Sequence, residues 1–119
     1  MRIALLLLVF SACHARDGAS NEARRVELRD QARLVLERTC GECHIPGQSK
    51  LDRPLAVFDL MEPEWTTTAT DAQLANIAWR LKEPTIPGGE DGRPNDATDV
   101  ERKIVEAYVE LELARRAAR

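Results

Sequence analysis

Three side chains able to bind a metal or a cofactor stand almost side by side in Cys40-Gly-Glu-Cys43-His44. Two thiols three positions apart lie on one side of a helical turn, and the imidazole that follows projects beside them. Several chemistries use such a pair. A thiol–disulfide oxidoreductase normally places its active cysteine at the start of a helix after a strand, where the helix dipole lowers the thiol pKa. Here the pair closes a helical pattern and no βαβ unit surrounds it. A structural zinc site needs four ligands, and this segment supplies three, with Cys43 and His44 adjacent rather than spaced. A plain disulfide suits an oxidising compartment, although the Cys-x-x-Cys loop is tight.

The remaining chemistry is covalent haem attachment, for which Cys-x-x-Cys-His is the recognised arrangement. Both thiols can form thioethers with the vinyl groups of one haem, and His44 can then ligate its iron. A covalent cofactor would also serve a chain with only 4% aromatic residues, whose apolar core is modest for its size.

The elements that must position this segment follow from hydrophobic periodicity. Leu28, Ala32, Val35, Leu36, Thr39 and Cys40 recur at three- and four-residue steps, which predicts a helix starting near Ser20 or Asn21 and running into the cysteine pair. Residues 45–69 read as irregular, punctuated by Pro46-Gly47 and Pro54, with Leu55, Val57, Phe58 and Leu60 as an apolar patch in a loop or short helical turn. Thr70 and Gln73 form a capping box that opens a helix carrying Leu74, Ile77, Ala78 and Leu81 and ending before Pro84. Residues 83–97 hold three prolines and three glycines and read as loop. A second capping box, Thr98 with Glu101, opens a last helix with Val100, Ile104, Ala107, Tyr108, Leu111 and Ala114 on one face. No internal repeat is visible. The expected fold class is all-α, with three main helices joined by long loops.

The N-terminus carries a different signal. Met1-Arg2 precedes an eight-residue apolar run, Ile3 to Phe10, and then the small residues Ser11 and Ala12. The run is far shorter than the roughly 20 residues a bilayer crossing needs, and the pattern reads as a signal peptide over residues 1–12. Phe10-Ser11-Ala12-Cys13 resembles the bacterial lipobox, with Phe10 where leucine is usual. The expectation is a lipid-anchored Cys13 on the periplasmic side, a flexible tether over 13–21 and a haem domain over 22–119; ordinary cleavage nearby is the alternative. Acyl chains would anchor the chain at about 0.8 kcal/mol per buried methylene. The net charge of −3 becomes one unit more negative once Arg2 leaves, a weak pointer to basic partners. The arginines from Arg24 to Arg38 are interleaved with acids as on a solvated helix face, so nucleic acid is not an expected partner.

The helix entering CGECH, the middle helix, the Pro/Gly loop and the last helix with Tyr108 together resemble the small bacterial class I cytochromes c. The resemblance implies one haem c and its iron, crossed first and last helices (Leu28, Ala32 and Val35 against Ile104, Tyr108 and Leu111), and an electron carrier between redox proteins rather than an enzyme. It also implies a proline carbonyl bonded to the other ring nitrogen of the axial histidine, with Pro54, ten residues after His44, in that place. Trp65 or Trp79 could meet a propionate, although a packed core is the commoner place for each.

The chain departs from the family at the sixth ligand. Ile86, in Thr85-Ile-Pro-Gly-Gly89, stands where a methionine is usual, and isoleucine cannot ligate iron. Met61, 17 residues beyond His44, is one candidate. An open position is another, and Lys82 as a neutral amine a third, whereas His14 lies in the tether. Methionine closes the iron and suits electron transfer. An open iron would suit a five-coordinate sensor or a peroxidase-like protein, for which the loop offers Arg93 but no histidine.

Overall fold

The computed structural model describes residues 3–50, 52–86 and 92–119, with side chains from residue 18 onward. Residues 1–2 and the side chains of the expected signal segment, of Cys13 and of His14 lie outside that set. The chain is mostly helical, as the all-α reading expects. Helix α1 spans Ile3–His44, α2 Asp52–Val57, α3 Asp71–Arg80 and α4 Asp99–Ala117. No described helix is long and apolar enough to cross a membrane. Helical backbone runs through 13–21, where the sequence pattern marks a tether. Gly18 is the poorest helix former in the alanine- and arginine-containing stretch 15–19, and one glycine does not stop a helix.

Both capping boxes form. Thr70 Oγ1 accepts from Gln73 N–H at 3.2 Å while Gln73 Oε1 accepts from Thr70 N–H at 2.8 Å. Thr98 and Glu101 repeat the pattern at 3.2 and 2.8 Å. Each box satisfies backbone donors that the first turn would otherwise leave open.

Helix α4 packs mainly on α1 and also on α3. Ala32, Val35 and Leu36 from α1, Leu74 and Ile77 from α3, and Val105, Tyr108 and Val109 from α4 form the core with Phe58, Leu60 and Trp65. The α1 face is the expected one. The α4 face is turned from the expected one: Val100 is 68% exposed, while Glu112 is buried. Val105, Tyr108 and Val109 carry the buried face, and Glu112 can join it because it meets Arg25 at 3.2 Å, Arg115 at 2.6 Å and Arg116 at 3.1 Å.

The segment expected to be all loop contains a minimal antiparallel ladder. Strand β1, Thr85–Ile86, pairs with β2, Arg93–Pro94, with Ile86 opposite Arg93. Gly92 lies beside it at φ +70°, and a Cβ there would stand 3.2 Å from the Ile86 carbonyl oxygen, so a glycine fits where a larger residue would be strained. Asn95 secures the return, its side-chain amide donating to the carbonyls of Leu81 at 2.7 Å and Glu83 at 2.8 Å. Arg93 bonds the Thr39 carbonyl and pairs with Glu42 at 3.4 Å, which ties β2 to the last turns of α1.

Candidate functional site

The last turn of α1 ends where it must. Pro46 disfavours helical geometry at Ile45, and Gly47 follows at φ +83°. The chain then turns back so that residues 58–60 run against His44: Leu60 N–H donates to the His44 carbonyl at 3.0 Å. A cavity of about 430 Å³ opens beside this turn. Its lining combines the thiols of Cys40 and Cys43, the His44 imidazole, Phe58, Ile86, and the guanidinium groups of Arg53 and Arg80. That volume falls within the usual range for small-molecule and cofactor sites.

His44 Nδ1 lies 3.0 Å from the Phe58 carbonyl oxygen. A carbonyl can only accept, so Nδ1 carries the hydrogen and Nε2 keeps its lone pair. Burial lowers the proton affinity of the ring. Hydrogen bonding to the Phe58 and Pro54 carbonyls pulls it up, and the Arg80 charge adds to the lowering; the net direction is down. The lowering favours the neutral imidazole, the form that ligates metal. Phe58 also stacks on it, with ring centroids 3.6 Å apart and planes within 3°.

The thiols are unbridged. Burial pushes the Cys40 thiol up, against the hydrogen bond from Thr39, whose Oγ1 lies 3.4 Å from Cys40 Sγ. A raised thiol is the reverse of what a redox-active dithiol needs. Among the described residues no group of three or more His, Cys, Asp or Glu side chains converges to hold a metal ion directly.

The other expected site residues divide into two groups. Pro54 lines the cavity; its carbonyl accepts from Phe58 N–H at 3.3 Å and acts on the His44 ring second to Phe58, whose carbonyl oxygen stands 3.0 Å from Nδ1. Ile86 is buried on the cavity wall. Met61 is 62% exposed and absent from the described lining, with its backbone N–H on Asp59 at 2.8 Å. Lys82 pairs with Glu106 at 2.5 Å. Neither tryptophan is among the described lining residues: Trp65 is in the core and Trp79 is 55% exposed.

Phe58, Arg53 and Arg80 are site residues that sequence reasoning missed. Phe58 was visible only as part of an apolar patch. The two arginines carry no local motif, yet neither forms an ion pair with a described residue, and the described lining holds no carboxylate. No protein-family model, curated protein or solved structure matches this chain.

Proposed function

We propose that this chain is an exported single-haem c-type cytochrome of class I-like fold, anchored through Cys13, that passes electrons between larger redox partners. The observation carrying the reading is the convergence of Cys40, Cys43 and His44 on one cavity, with the histidine neutral and its Nδ1–H already engaged.

The donor set suits haem. Cys40 and Cys43 are free thiols, as thioether formation requires, and His44 retains a lone pair on Nε2. Val57, Phe58, Ile77, Leu81 and Ile86 offer apolar walls for a porphyrin, and Arg53 and Arg80 offer positive charge to its two carboxylates. Bound haem would supply a reversible one-electron Fe(III)/Fe(II) couple. The chain's own part is to fix the cofactor covalently, orient the imidazole through Phe58 and shield one side of the site from water.

Two observations favour a second reading, a five-coordinate haem protein that binds a small ligand: Ile86 on the cavity wall and the exposure of Met61. One purified sample tests both. Expressed in a host competent in cytochrome c maturation, the protein should keep its haem stain on a denaturing gel, and Cys40→Ala with Cys43→Ala should abolish it. Low-spin ferric haem with a sulfur-to-iron band supports the carrier. High-spin haem that takes up CO on reduction supports the ligand binder. Colourless protein overturns both.

A further inference from the structure

A hydrogen bond at Nδ1 fixes where one edge of an imidazole points, but it leaves the ring free to rock about the N–H···O axis. A flat group pressed against the ring face removes that freedom. In this chain both constraints come from one residue. The Phe58 carbonyl accepts the His44 Nδ1–H at 3.0 Å, and the Phe58 ring lies parallel to the imidazole at 3.6 Å.

Phe58 is itself held from several sides. It is only 4% exposed. Its N–H donates to Pro54 at 3.3 Å, and two residues on Leu60 N–H donates to His44 at 3.0 Å. Trp65 backs its ring at 5.7 Å and 60°, and Tyr108 backs Trp65 at 5.3 Å. The Tyr108 hydroxyl is fixed in turn by Thr66 at 3.0 Å. An aromatic wall therefore runs from the core of the α1–α4 pair to the face of His44.

We infer that Phe58 is a positioning residue that sets the plane of the His44 imidazole, with Trp65 and Tyr108 holding it in place. The inference rests on the haem reading. Its consequence is electronic, because the plane of an axial imidazole sets how unpaired spin spreads over a ferric porphyrin and hence the order of the haem methyl resonances.

The test uses the haem-loaded protein. Phe58→Leu keeps the backbone carbonyl and loses the stack, so the methyl resonances should shift and change order while the haem stain persists. Phe58→Tyr keeps a stacking ring and should retain the original order. In unsubstituted reduced protein, with CO added only where the iron takes it up, Phe58 ring protons should show direct through-space contacts with the His44 ring protons, a readout that survives any failure of Phe58→Leu to fold. Coloured protein that lacks those contacts, or a Phe58→Leu variant with an unchanged methyl order, overturns the positioning role alone. Colourless unsubstituted protein removes the haem assignment and this role with it.

Discussion

Arg80 acts on two of the three groups proposed to hold the haem: its charge lowers the proton affinity of both His44 and Cys40. A positive charge at that position also favours the reduced over the oxidised iron, because the ferric state carries one more positive charge. Arg53 lines the same cavity but is not among the charges that shift His44. Arg80→Gln should therefore lower the reduction potential, by on the order of tens of millivolts, given an effective dielectric of about 20 and a screening length of about 8 Å. Arg53→Gln should lower it less. Potentiometric titration of the two variants at matched ionic strength checks the order. Equal potentials in unsubstituted and Arg80→Gln protein would remove Arg80 from the site's electrostatics. Pairing with a described carboxylate, as Arg38 has with Glu101 at 2.7 Å, would largely cancel such a field at the iron of a haem bound in the cavity.

At the scale of elements, the β1–β2 ladder decides one part of the cavity wall, because it brings Ile86 onto the cavity. Ile86→Met should place a thioether there. If the native iron is five-coordinate, the ferric spectrum should change from high-spin to low-spin with a sulfur-to-iron band, and CO binding should weaken by at least tenfold; an unchanged spectrum would show that residue 86 does not reach the iron. Helix α3 adds Gln73, Asn76, Ile77 and Arg80 to the lining, and its start depends on one hydroxyl. Thr70→Ala should cost about 1 kcal/mol in urea unfolding. The capping boxes that start α3 and α4 were legible in the sequence because each is complete within four residues. The same is true of CGECH, whose three groups are nearly contiguous. The ladder was not legible, because it depends on Asn95 reaching back to Leu81 and Glu83, an interaction without a local pattern. Phe58 escaped notice as a partner of His44 for the same reason: the two stand 14 positions apart, across a turn and the short helix α2. The turned face of α4 was hidden differently: the stripe of Val105, Tyr108 and Val109 competes with one through Val100, Ile104 and Leu111, and the residue that completes the buried stripe, Glu112, is charged.

Across the whole molecule, that glutamate sits where three parts of the chain meet. Arg25 of α1, only 5% exposed, bonds Glu112 of α4 at 3.2 Å and Glu64 of the intervening segment at 3.4 Å. Arg116 of α4 donates to the backbone carbonyls of Thr66 at 2.6 Å and Ala69 at 2.7 Å. The segment 64–69 carries Trp65, the backing of Phe58, so this ion network and the proposed haem site share a support. Burial alone would raise the Glu112 pKa. Hydrogen bonds from Arg115 and Arg116, with the charges of Arg115 and Arg25, outweigh burial and hold the carboxyl below the ordinary carboxylate range. A carboxyl whose pKa is lower folded than unfolded contributes full stability above its unfolded value, and that contribution disappears as the pH falls through the folded value. Thermal stability should therefore be flat near neutrality and decline on acidification below about pH 4.5, the unfolded carboxyl range. Glu112→Ala takes a buried carboxylate from Arg25, Arg115 and Arg116, but Arg25 keeps Glu22 at 2.7 Å, so the change should cost about 2 kcal/mol at neutral pH, less than a buried charge left wholly unpaired. It should also shrink the acid-dependent loss, since the group that titrates is gone. Melting curves of both proteins across that pH range give the comparison. A variant with the same neutral stability and the same acid decline as the unsubstituted chain would show that the α1–α4 crossing is held by its apolar residues alone.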